Sequence, residues 1–228
     1  MRKTIFTMSL LLFFGVGLHA QPRVVGEPQK VAQSEQRLHT PTWLSDASLL
    51  LNDGTMQVSV DGTNLRNVTV PMGNLRRTAN DNSLLQRMID NPVGVVSQEE
   101  EMRTQFPGHM VFNPVLSPQG DRIVFQVDMG KGMWIINTDG TGLRSLGTQA
   151  GSATWTADGR YVVAVQTEDD GRSITKGELV SIDVISARQS VLFSSDNFIP
   201  FSPAISPNGR RLAFEDYATG VIYVLEIQ

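Results

Sequence analysis

No cysteine occurs in the sequence. That excludes disulfides, thiolate zinc sites, a cysteine nucleophile and a lipid-modified N-terminal cysteine. Histidine is scarce, with only His19, His39 and His109, too few for a multi-histidine metal centre within one chain. The one strongly apolar run, Ile5 to Val16, is too short to span a bilayer, and no second one follows. Charged residues make up only 18% and no basic patch stands out, so nucleic acid is not an expected partner. What remains is globular in composition: 228 residues, 40% hydrophobic, with 20 Gly and 11 Pro. That length suits one large domain or two small ones.

The first twenty residues have the form of an export signal. Arg2 and Lys3 supply a positive start, and Leu10-Leu11-Leu12-Phe13-Phe14 forms an apolar centre. Gly15, Gly17 and Ala20 are the small residues near which a signal peptidase cuts. Residues 1–20 are therefore expected to be removed, with Gln21 as the mature start and a periplasmic or secreted destination. Without Arg2 and Lys3, 17 basic residues face 23 acidic ones, a net charge of −6.

The rest of the chain repeats. Pro41-Thr-Trp43-Leu-Ser45-Asp46, Pro114-Val-Leu116-Ser117-Pro118-Gln119-Gly120, Ala153-Thr-Trp155-Thr156-Ala157-Asp158-Gly159 and Pro203-Ala-Ile205-Ser206-Pro207-Asn208-Gly209 align with one another. In the last three, a hydroxyl residue, Pro or Ala, a Gln, Asp or Asn, and Gly stand in order, which suits a type I turn leading into a hairpin. The first copy lacks the Gly, so its turn must differ. Short apolar strands follow at Ser48–Asn52, Arg122–Val127, Tyr161–Gln166 and Arg211–Glu215. Third strands of alternating character come next, clearest at Met133–Asn137 and Val221–Leu225. Asp61-Gly62-Thr63 and Asp139-Gly140-Thr141 then form corners into a fourth strand, replaced in the third repeat by Ile185–Arg188. Four short antiparallel strands per unit, with turn chemistry at each corner, describe a β-propeller blade.

These residues resemble the TolB-like β-propeller repeat, best at Ser117–Gly120 with Asn137–Arg144 and next at Ser206–Gly209. The resemblance covers about residues 41–70 and 113–228. It implies an all-β propeller of four recognisable four-stranded blades over residues 41–228. It also implies a cell-envelope setting and contact with other envelope proteins, without the N-terminal domain of that family. The same repeat occurs in scaffolds, peptidase accessory domains and lyases, so function has to be argued from a site.

Repeat spacing is uneven: 73 residues from Trp43 to Leu116, then 39 to Trp155 and 50 to Ile205. Residues 71–112 are read as an insertion with a short helix at Ser83–Asp90, an eroded fifth blade being the alternative. The last repeat has three strands, Pro203–Ser206, Arg211–Glu215 and Val221–Ile227. Its open edge would expose unpaired backbone, and residues 21–40, within which 22–34 carry Val24-Val25 and Val31-Ala32, are expected to fill it.

No catalytic set emerges. A Gly-x-Ser-x-Gly elbow is missing, and neither His39 nor His109 has a Ser and Asp set in the sequence around it. Gly130-Lys131-Gly132 lacks the spacing of a phosphate loop. Glu99–Glu101 reads as a solvated stretch, and Glu168-Asp169-Asp170-Gly171 as a hairpin tip rather than a calcium loop. Trp43, Trp155 and Phe125 fall on repeat positions and are assigned to packing between blades. The expectation is a non-enzymatic, exported interaction module without cofactor or metal, binding another cell-envelope protein, with self-association left open. The alternative is a glycan- or peptide-handling propeller enzyme or ligand-binding module. Partner-binding candidates are Met129, Lys131, Arg172, Phe198 and Tyr217, on irregular loops sharing one face of the ring.

Overall fold

The computed structural model describes residues 20–68, 106, 109 and 111–228. The export signal expected at 1–20 (all but Ala20), the helix expected at Ser83–Asp90, the Glu99–Glu101 stretch and most of the segment on which a fifth blade would rest lie outside the described residues. Every described element is a strand, and together they form four sheets of four strands each.

Blade one contains β2 (Thr42–Ser45), β3 (Ser48–Leu51), β4 (Met56–Ser59) and β5 (Arg66–Asn67). Blade two contains β6 (Val111–Leu116), β7 (Arg122–Val127), β8 (Gly132–Asn137) and β9 (Arg144–Ser145). Blade three contains β10 (Gly151–Trp155), β11 (Tyr161–Asp169), β12 (Ile174–Asp183) and β13 (Gln189–Ser194). Blade four takes β14 (Pro200–Ile205), β15 (Arg211–Asp216) and β16 (Ile222–Ile227) in sequence. Its outer strand is β1 (Val24–Ala32), from the other end of the chain. Strands are antiparallel throughout each blade.

The second strand of each blade reads as a nearly unbroken apolar run because both of its faces are buried. Alternate side chains serve different neighbours. In β15, Leu212 and Phe214 pack with Val163, Val165 and Leu179 of blade three, while Ala213 packs with Leu49 and Leu51 of blade one. In β11, Val162 and Ala164 pack with Val124 and Met133 of blade two. Trp43 and Trp155, at equivalent positions on the first strands of blades one and three, also bridge blades. The indole N–H of Trp43 donates to the Ala204 carbonyl at 2.8 Å, and that of Trp155 to the Val115 carbonyl at 2.9 Å.

Blade two turns its remaining face elsewhere. Ile123, Phe125, Val127 and Ile136 are covered by Phe106, which meets Trp134 edge-on at 4.7 Å. At the repeat position of the two indoles stands Leu116, which is 38% exposed.

Turn chemistry explains the corners. In blades two, three and four, Gly120, Gly159 and Gly209 have φ of 74°, 66° and 73°, and each N–H donates to the carbonyl of the hydroxyl residue three places earlier. That same hydroxyl oxygen accepts the N–H that opens the next strand, from Arg122, Tyr161 or Arg211 at 2.9–3.1 Å. The first copy has a shorter connection, with Ser45 directly opposite Ser48. At the Asp-Gly corners, Asp61 and Asp139 accept both the N–H and the hydroxyl of Thr63 and Thr141. Those bonds hold both carboxyls below the usual range.

The hairpin of blade three is longer than its sequence suggests. Gln166 does not end the strand, because Thr167 pairs with Gly177 and Glu168 with Lys176. Opposite charges across the ladder favour that extension. The connection is a short tip in which Asp170 accepts the N–H groups of Arg172 and Ser173, each at 2.9 Å.

β1 lies along β16 with Val24 opposite Ile227 and Lys30 opposite Tyr223. Val31 and Ala32 sit in the cluster joining blades four and one. Burying one such valine stabilises by about 1.5–3 kcal/mol. Deleting residues 21–34 should lower the melting temperature by about 10 °C or more, since 1 kcal/mol corresponds to roughly 2–4 °C at this size. It should also promote association through the bared β16 edge. Calorimetry and size-exclusion chromatography check this, and an unchanged melt of a monomer would contradict it.

Candidate functional site

Candidate sites fall in three places: the face that carries the second-to-third strand connections, a clamp formed by the N-terminal segment, and the central channel.

On the face, Met129 stands 79% exposed in the β7–β8 connection, with a left-handed φ of 51°. Lys131 is exposed beside it, its carbonyl accepting the Trp134 indole N–H at 3.0 Å. Arg172 is exposed at the β11–β12 tip. These three stand on equivalent connections of adjacent blades. Phe198 and Tyr217 are placed differently. Phe198 is half-buried, with its ring 4.6 Å from that of Tyr223. Tyr217 is half-buried between Phe201 at 5.4 Å and the Arg37 guanidinium at 5.1 Å. Both support the rim more than they project from it.

Arg37 belongs to a clamp that ties the β1–β2 connection to blade four. Its guanidinium donates to the Tyr217 carbonyl at 2.6 Å. Gly220 leaves room for it: φ is 71°, and a Cβ there would stand 2.6 Å from Arg37 Cγ. Below lies Glu215, only 4% exposed. One carboxylate oxygen accepts the Thr40 N–H at 2.7 Å, and the other lies 3.9 Å from Arg37 Nη2. Burial pushes this carboxyl above the usual range. The Thr40 N–H, the charges of Arg37 and His39 and the Ser202 hydroxyl oppose that shift without cancelling it.

The two histidines of the propeller are both paired. His39 Nδ1 is 3.1 Å from Thr40 Oγ1, and His109 Nδ1 is 2.9 Å from Asp128 Oδ1. Neither stands in a nucleophile–base–carboxylate order. Among the described residues no group of three or more His, Cys, Asp or Glu could hold a metal ion.

The channel was not legible as a site from sequence. It is open to solvent and holds about 640 Å³ between the inner strands of all four blades. At equivalent points on its wall stand Thr40, Asn113, Ser152 and Ser202, with φ of 47°, 52°, 50° and 48°. In blades two, three and four the ladder skips there, between Phe112 and Val115, Gly151 and Thr154, and Phe201 and Ala204. These are β-bulges, which re-aim the backbone at the cost of pairing. A left-handed conformation costs a residue with a Cβ about 1–2 kcal/mol, and such strain concentrates at ligand sites. The signal was present but small: each repeat has a small polar residue just before its opening Pro or Ala.

The sheet topology defines the class, a β-propeller. No protein-family model matches the chain, and no curated protein matches it in sequence. Several solved structures are similar to it. A TolB from Agrobacterium tumefaciens is 18% identical at a TM-score of 0.41, over 86% of this chain and 60% of that one. TolB from Acinetobacter baumannii is 14% identical at 0.38, over 86% and 45%. An oligogalacturonate lyase from Vibrio parahaemolyticus is 13% identical at 0.37, over 86% and 50%. This chain thus spans 60% or less of the length of these proteins. The propeller assignment stands on the strand order itself, not on these likenesses.

Glu215 gives the clamp a pH signature. A carboxyl whose folded pKa lies above its unfolded value of about 4.5 binds its proton more tightly when folded. Its contribution to stability is complete below pH 4.5 and is lost as pH rises through the folded value. Glu215→Gln keeps an acceptor for the Thr40 N–H and removes the buried charge. The variant should match wild type near pH 4.5 and melt higher at pH 7. Melts across that range check the sign, and a variant that melts lower at pH 7 would refute it.

Proposed function

We propose that this chain is an exported, non-enzymatic β-propeller that docks another protein of a bacterial cell envelope. The observation that carries the reading is the face described above. An exposed methionine and two exposed basic side chains, Met129, Lys131 and Arg172, stand on neighbouring connections of a rigid scaffold. Loops fixed by a stiff framework are the usual place for binding residues, and Met and Arg suit interface cores. The N-terminal Arg2-Lys3 followed by an apolar run supports export. The acidic balance of the remainder makes a local basic pair distinctive. The lack of a paired catalytic set around His39 and His109 supports a binding role rather than turnover.

Phe198 and Tyr217 enter this reading as supports for the rim, because their rings are already engaged with Tyr223, Phe201 and Arg37. The test separates contact from stability. A Met129→Asp, Lys131→Glu, Arg172→Glu variant should lose at least tenfold in capture of the partner that the wild-type chain retains from its own envelope fraction, with its melt unchanged. Tyr217→Ala should lower the melt as well. Full capture by the triple variant, with loss on removing residues 71–105, would transfer the contact to that segment.

A further inference from the structure

We propose that the central channel is a binding site for a small neutral saccharide, independent of the protein-docking face. Four observations converge on it. The first is size: about 640 Å³ falls within the range of roughly 300–1,000 Å³ typical of small-molecule sites.

The second is charge. No ionisable side chain is among the described residues lining the channel. A charged ligand would give up water there without a counter-charge, whereas an uncharged one would not. The third is the distribution of polar groups. Every blade lines the same space with small hydroxyl or amide residues, among them Thr42, Asn113, Ser152, Thr154 and Ser202, of which Asn113 also bonds Gln126 and Thr154 also accepts the Ile205 N–H. Hydroxyls both donate and accept, so the wall suits a ligand carrying both functions around its whole perimeter. Between them lie apolar surfaces, including Val115, Ala153, Ile205 and the indoles of Trp43 and Trp155. Polar edges alternating with C–H faces are the chemistry of a sugar ring, more than of an ion, a lipid chain or a flat aromatic base.

The fourth observation is strain. Four equivalent residues with side chains occupy the left-handed region, all on this wall and one per blade. Two of these side chains are anchored in the wall, the Thr40 hydroxyl donating to Asp53 Oδ1 at 3.0 Å and the Asn113 amide to Gln126 Oε1 at 2.8 Å. Thr, Asn and two Ser stand at these points, where glycine would relieve the strain. Holding small polar side chains in that conformation fixes the wall before a ligand arrives, the preorganisation that a polar site needs.

The position of two indoles on the wall supplies a readout. Of the three tryptophans, Trp43 and Trp155 line the channel and Trp134 packs against Phe106 outside it. Maltose and diacetylchitobiose should each be titrated into the purified protein, followed by intrinsic fluorescence and by calorimetry. Galacturonic acid and the dipeptide Ala-Ala serve as charged comparisons. A saturable change with at least one neutral disaccharide is expected, with galacturonic acid and Ala-Ala at least tenfold weaker. Thr42→Val with Ser152→Ala should weaken the neutral sugar at least tenfold while leaving capture of a protein partner unchanged. If that pair loses its cooperative melt, the isosteric Thr42→Val alone carries the comparison, with a weakening of threefold or more expected. No saturable binding of either disaccharide, equal affinity for the variant, or preference for the acid or the dipeptide would overturn the proposal.

Discussion

Each blade is apolar on both faces, and the rest of the architecture follows from that constraint. A sheet with one wet face can stand against a single partner. One with two dry faces must be sandwiched, and four-stranded sheets arranged about an axis meet the requirement by serving as one another's cover. The parity of the second strand shows it most directly. Val162 and Ala164 of β11 are buried against blade two, Val163 and Val165 against blade four. A one-residue slip in any such strand would exchange the two sets, so the turns that fix register are as necessary as the side chains they align. The hydroxyl residues at Ser117, Thr156 and Ser206 do that work by bonding the start of the following strand.

The bulges lie on the inner strands, nearest the axis. Inner strands converge where the wedge of each blade is narrowest, and at Asn113, Ser152 and Ser202 the chain leaves the ladder and turns part of its backbone toward the axis. The indoles of Trp43 and Trp155 lie just beyond and reach the preceding blade's carbonyls. Blade two lacks an indole at this point. It carries Leu116 instead, and its free face is served by Phe106 from the segment that precedes it.

Repeat chemistry made most of the fold legible. Ser-Pro-x-Gly and Asp-Gly-Thr encode local geometry through φ preferences and short-range hydrogen bonds, so they can be read without knowing what surrounds them. The limits lay where context decides. The β11–β12 hairpin outran its expected end because cross-strand pairs such as Glu168 with Lys176 stabilise a ladder that single-strand composition does not reveal. Phe198 and Tyr217 looked available because large side chains in loops look alike in sequence. Only the distances to Tyr223, Phe201 and Arg37 show that they are engaged. Glu215 looked like an ordinary strand-end carboxylate, and its burial depends on Arg37–Thr40, nearly the full chain away. The channel escaped notice because its wall is assembled from one small residue per repeat.

The pairing of β1 with β16 has a kinetic side. Arg23 and Gln228 exchange backbone hydrogen bonds, each 2.9 Å long, so the contact that completes blade four joins residues separated by almost the entire sequence. Contacts of such separation close the largest loops and form late. A ribosome delivers β1 long before β16, which leaves the earlier strand waiting until its partner has emerged. During that interval its edge is open to chance pairing with other chains. The polar, irregular make-up of β1, with Gly26, Glu27, Pro28 and a break in register between Val25 and Gln29, makes it a poor template for a stranger while still able to dock on β16.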